Sequence, residues 1–358
     1  MNKKKIYWNI VKALGIISIV AGHCCAKLVK FVYFYHLALF FFVGGALYNE
    51  SKYGNDPYLN FSSKIKNNWL KFVMFSFFFS LIHNFLLKNG MIVGTQLFGI
   101  KEIVTSCVYS FIFICDELMA GALWFVPTFI LSSTIFGMII YFSNKIFDYL
   151  KYNKKIKNYF ILISTVFCSL IGIYLVTRQV SLLYHFQICF LVIPFFTFGY
   201  FFKNFAENIK NKINIFLFVI SMITLIYIYF KIDFFVDLSF NKITNLYLFY
   251  PISFAGIYIC LYLSGLISKL KFANVFFDKI GNYSYEIMGM HFLIFKIIDF
   301  VFAKINGISE SNIYGAFPYA FSKLSLVYVI LGILVPVGLF MFFDNVKTKI
   351  INKIPLKN

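Results

Sequence analysis

Ten apolar stretches divide this sequence, near residues 6–26, 31–48, 70–88, 122–143, 158–177, 184–202, 213–231, 246–266, 283–303 and 324–344. At about 1.5 Å of rise per residue each is long enough to cross a hydrocarbon core of roughly 30 Å. No water reaches the backbone in such a core, so helices that satisfy their own hydrogen bonds are the structure open to these segments. Composition agrees, since 61% of the residues are hydrophobic and only 13% are charged, too few to cover a globular surface. The expectation is an all-α membrane protein: a single polytopic bundle of about ten transmembrane helices over residues 1–358, without internal repeat or appended soluble domain.

Charge then orients the bundle. A net charge of +19 would point to nucleic acid in a soluble chain, but here the basic residues lie between the apolar runs, where they meet anionic headgroups. The lipid bilayer is therefore the expected partner and nucleic acid is not. With ten spans and both termini cytoplasmic, about 22 basic residues fall inside against about 9 outside. Making the short apolar run 102–115 an eleventh span would invert every later loop and put Lys145, Lys151, Lys154, Lys155 and Lys157 outside. It is read instead as an interfacial or re-entrant piece. The first run follows Lys3, Lys4 and Lys5 as a signal peptide would, yet no small-residue cleavage site ends it, so it is expected to remain as a helix. The seven cysteines, including the adjacent Cys24 and Cys25, show no CxxC spacing and read as small buried residues.

Ionisable side chains inside spans are costly unless paired or wet, which makes them functional candidates. Lys12 and His23 are eleven residues apart in the first run, about three turns, so they share one face with roughly 16 Å between them. That span is comparable to an extended pantetheine arm, which suggests Lys12 on the phosphates of a coenzyme A thioester and His23 near the acyl carbon. The two are expected to border one internal cleft. The competing reading has Lys12 snorkelling to the interface and His23 satisfied there. His36 opens the second run on the outer side and is expected to approach His23, a pairing that favours proton transfer. His291 follows a polar approach that contains Glu286. Asp116 and Glu117 precede Trp124 on the outer side, either orienting an acceptor or forming a solvated turn. His83 and His185 are read as structural. The histidines lie on different helices without ligand spacing, so no metal is expected.

Four blocks in order carry a resemblance: Asn9 to Ile16 through Gly22-His23, His36 to Gly45, Leu123-Trp124-Phe125-Val126-Pro127, and Gly281-Asn282-Tyr283-Ser284 through His291. Together they resemble the acyltransferase family 3 membrane proteins, which include bacterial O-antigen, capsule and peptidoglycan O-acetylases. The chain departs from the family pattern at Lys12, where Arg is common, at Asn9, where Asp is common, and at Ala38 and Gly44, where Pro and Ser are usual.

The resemblance implies a multi-pass protein of the bacterial cytoplasmic membrane. Its implied reaction moves an acyl group, most often acetyl, from acetyl-CoA to a hydroxyl of a cell-surface polysaccharide or a lipid-linked glycan precursor. His23 is the expected base or acyl carrier and His36 its relay. Lys12 is expected to bind the donor, Trp124 to face the sugar beside Asp116, and Glu117 and His291 to serve as supporting catalytic residues. A transporter or flippase, or a polymerase, for a surface glycan is the alternative. Transporters commonly repeat their halves and polymerases carry large arginine-rich external loops, whereas this chain has neither feature and a single arginine, Arg178.

Overall fold

A computed structural model describes residues 3–92, 96–150, 154–206, 214–309 and 315–351. The N-terminal part comprises α1 (Lys3–Cys24), α2 (Ala26–Tyr33), α3 (His36–Ala46), α4 (Glu50–Tyr53), α5 (Pro57–Lys88) and α6 (Ile100–Ser110). A 3-10 turn, Leu118–Trp124, leads into α7 (Phe125–Leu150), followed by α8 (Lys154–Thr177), α9 (Phe186–Leu191), α10 (Ile193–Ala206) and α11 (Ile215–Lys231). A small hairpin, β1 (Val236–Asp237) against β2 (Lys242–Ile243), precedes α12 (Leu246–Ile267), α13 (Lys271–Asn282), α14 (Ser284–Asn306) and α15 (Phe321–Ile351).

Among the described residues each of the ten apolar stretches falls mainly on helix, and the chain is an all-α membrane protein apart from that hairpin. Among the described residues seven helices are long and apolar enough to cross a membrane, or eight if the pair Leu183–Leu191 and Ile193–Lys203, bent by 54°, is taken as one span. The remaining two stretches depart for visible reasons. Helix α11 has 17 residues, and α14 carries Glu286, Lys296 and Asp299, all buried, along its length. The 102–115 stretch runs through most of the 11-residue α6 and the turn after it, far short of a span, with Ile100, Val104 and Val108 of α6 exposed.

Helix α1 is the hub. Its N-terminal half, through Trp8 and Val11, belongs to one apolar cluster with α3, α10 and α12, while Ala13, Ile16 and Val20 belong to a second with α5, α14 and α15. In lipid, close helix approach depends on small residues rather than on hydrophobic exclusion. Gly281 illustrates this: a Cβ there would stand 1.9 Å from the Asn9 carbonyl oxygen, so α13 can lie directly on α1 only through glycine. Asn9 adds polar bonds to the same contact, donating from Nδ2 to Asp278 Oδ1 at 2.8 Å and to Asn282 Oδ1 at 3.0 Å.

A buried polar knot fixes the other end of α14. Asp299 accepts from Lys296 Nζ at 2.6 Å, from the Tyr319 amide at 3.0 Å and from the Tyr328 hydroxyl. Burying a lone charge is costly, and this set of donors satisfies the carboxylate while tying the segment before α15 onto α14. Phe317 in that segment is thereby held 5.7 Å from the His23 ring.

Candidate active site

His23 lies in the last turn of α1, and α14 brings His291 to it from 268 residues away. His23 Nδ1 and His291 Nε2 are 2.9 Å apart, and the rings are nearly coplanar, at 16° with centroids 5.1 Å apart, as two imidazoles joined edge to edge. Phe292 covers one face of the His23 ring at 4.9 Å.

The hydrogen bonds around this pair dictate its protons. The Ile287 carbonyl can only accept, so His291 Nδ1–H donates to it at 3.0 Å. A neutral His291 then presents a lone pair at Nε2, which accepts from His23 Nδ1–H. His23 Nε2 is left with its own lone pair, the form a general base requires. His36 is set the same way: its Nδ1–H donates to the Val32 carbonyl at 2.8 Å, leaving Nε2 as an acceptor.

Both His23 and His36 line a cleft of about 60 Å³ with Tyr33, Trp124, Asp237 and Ser239. The expected direct approach of the two imidazoles is modified, because Tyr33 is a ring neighbour of each, 4.7 Å from His36 and 6.3 Å from His23. The hydrogen-bonded partner of His23 is His291 instead.

A second cleft, of about 530 Å³, lies at the other end of α1 and is lined by Lys4, Lys5, Lys12 and Lys203 with Asn9 and Asn49. The Lys12 ammonium has no hydrogen-bond acceptor among the described residues, and its electrostatic neighbours include Asp278 and Glu286. The sequence expectation of one cleft shared by Lys12 and His23 is therefore corrected to two. Between them on the same face of α1 lies Gly15, and the Phe40 ring covers it, 2.9 Å from where a Cβ would stand.

A family model described as an acyltransferase domain matches residues 5–343, nearly the whole chain. The chain belongs to acyltransferase family 3. Neither the curated proteins nor the solved structures contain a match to it.

The remaining sequence candidates of this membrane acyltransferase fall in different places. Trp124 lines the histidine cleft and packs against His185 at 4.6 Å. Asp116 is exposed at the approach to the 3-10 turn and does not line that cleft. Glu117 is buried and bonded to His83, Oε2 to Nδ1 at 3.0 Å, while His83 Nε2 faces the Gln96 carbonyl at 3.1 Å. The His83 ring thus bridges the Glu117 carboxyl and the Gln96 carbonyl. Burial pushes the Glu117 carboxyl up despite the opposing pull of the His83 bond. Among the described residues no three His, Cys, Asp or Glu side chains gather so as to hold a metal ion.

Three residues escaped the sequence reading. Asp278 lay in what reads as a basic loop, although the apolar spacing of Phe272, Val275, Phe276 and Ile280 around it signals the amphipathic α13. Asp237 sits on a hairpin too short to register as strand. Lys71 lies midway along α5 and pairs with Glu286 at 2.5 Å.

Proposed function

We propose that the protein is an O-acetyltransferase of the bacterial cytoplasmic membrane, with ten spans and both termini inside, that moves an acetyl group from acetyl-CoA to a hydroxyl of a surface polysaccharide or its lipid-linked precursor. The observation that carries this reading is the His23–His291 pair, whose hydrogen bonds leave His23 Nε2 with a free lone pair on a ring that lines a cleft. The acceptor oxygen attacks the thioester carbonyl carbon while its proton passes to His23 Nε2. The carbon–sulfur bond then breaks, and the thiolate recovers that proton from the imidazolium and leaves as free CoA. His291 Nε2, as acceptor for His23 Nδ1–H, stabilises the transient cation and fixes the ring.

Donor and acceptor enter from opposite ends. Lys12, with Lys4, Lys5 and Lys203 around it, supplies the cationic field that phosphates of CoA require. The pantetheine arm runs along the Gly15 face of α1 as Phe40 turns aside, a path of roughly 16 Å. The cavity of about 60 Å³ beside His23 admits a few water-sized groups, which favours acetyl over a fatty chain. Trp124 offers a flat face to the sugar, and His36 relays protons within the cleft. Glu117 is assigned a structural role, locking the turn before α7 to α5 through His83.

Mass spectrometry of surface polysaccharide from cells with and without the gene tests this. Loss of acetyl esters with chain length unchanged supports the transferase. Loss of polymer, or esters that persist, overturns it.

A further inference from the structure

The outer rim of the histidine cleft carries a feature that the reaction above leaves unused. The hairpin β1–β2 reaches over the cleft, where Asp237 and Ser239 line it beside His36 and Trp124. It is anchored on both sides. Val236 and Leu238 are buried in the core, and Phe235 stacks on Tyr33 at 5.6 Å. Asn241, at φ 53°, donates to the Val180 carbonyl at 3.2 Å and accepts from Gln187 Nε2 at 2.8 Å. The left-handed turn is one that asparagine readily adopts, and these bonds from a buried side chain tether the hairpin as a wall of the cleft.

The Asp237 carboxylate is set by that wall. Its Oδ1 accepts from the Ser239 amide at 3.0 Å and from the Ser239 hydroxyl at 2.5 Å. Oδ2 has no hydrogen bond and the group has no ion-pair partner among the described residues. Lys242, across the strand pair, instead lies over the Phe235 ring at 5.9 Å. The electrostatic neighbours of Asp237 include His36 and Tyr33, which places a negative charge beside the proposed reaction centre. A carboxylate at the mouth of an acyl-transfer site repels an anionic donor and can only accept hydrogen bonds. Its natural ligand is therefore a group rich in hydrogen-bond donors, of which a saccharide's hydroxyls are one class, and charge-assisted O–H bonds are among the stronger ones.

We infer that Asp237 is the acceptor-recognition residue: its carboxylate receives hydroxyl donors of a saccharide whose apolar face lies on Trp124, leaving a further hydroxyl at His23 Nε2. This rests on the glycan-acceptor reading given above. The hairpin thereby sets which hydroxyl is acylated, since the distance from Asp237 to His23 becomes the ruler.

The test uses the native acceptor in cells together with a donor measurement on the purified full chain. Asp237→Asn, which keeps the shape and removes the charge, is expected to cut the ester content of surface polysaccharide by about tenfold or more. CoA should bind the same variant in nanodiscs with the wild-type Kd. Esters lost on gene deletion but retained by Asp237→Asn overturn the subsite alone. Loss of CoA binding together with esters also overturns it, because the residue then serves the fold or the donor. If deletion of the gene removes no ester, the glycan reading fails and this inference fails with it.

Discussion

The two ends of α1 solve different problems with the same helix. At the Lys12 end the cleft is wide, about 530 Å³, and several ammonium groups converge there without fixed partners for the Lys12 head. At the His23 end it is about 60 Å³, and each imidazole has its tautomer set by a backbone carbonyl or a neighbouring ring. The first arrangement suits capture of a flexible polyanion, where field strength matters and position does not. The second suits proton transfer, where a hydrogen-bonded donor and acceptor must already be aligned. In the proposed reaction, acyl transfer would couple a tolerant site to an exacting one.

After loss of His23 itself, the largest expected effect breaks the exacting end at its partner. His291→Ala removes the acceptor for His23 Nδ1–H and frees the His23 ring to rotate, so turnover should fall about 10²-fold with donor KM unchanged. CoA release followed at saturating acetyl-CoA checks this, and an unchanged turnover would show that the pair is only packing.

An intermediate effect probes the tolerant end. Lys12→Ala should raise donor KM by about tenfold and leave turnover intact, while Lys12→Arg should restore affinity, since a guanidinium serves phosphate at least as well. Added salt should raise the wild-type donor KM and erase much of the difference between the two proteins. A turnover defect in Lys12→Ala without a change in KM would contradict the division.

The smallest effect concerns the scaffold. Gly281→Ala pushes α13 off Asn9 and should lower stability by about 1–3 kcal/mol, read as a lower thermal midpoint in detergent. Asp278 and Asn282 move with α13, so donor affinity should weaken slightly while the histidine end is spared.

The sequence made the helices legible because lipid imposes length and apolarity on each segment separately, a local constraint. The shared face of Lys12 and His23 was legible for the same reason, being periodicity within one helix. The His23–His291 bond was not, since it depends on α1 and α14 meeting across 268 residues, and nothing in either helix names its neighbour. Glu117 illustrates the same limit from the other side. Its place beside Trp124 in the chain suggested the active cleft, but α5 supplies His83 and turns the carboxylate elsewhere. Clefts are likewise collective: several elements line each of the two, and contacts such as Phe40 over Gly15 are invisible in the spacing of α1.

Titration of CoA into the His23→Ala protein in nanodiscs, alongside its turnover, tests the division of labour most directly. The two-ended account predicts a Kd within about twofold of wild type while turnover drops by roughly 10³-fold. A Kd that weakens in step with turnover, or turnover that survives the substitution, would contradict it.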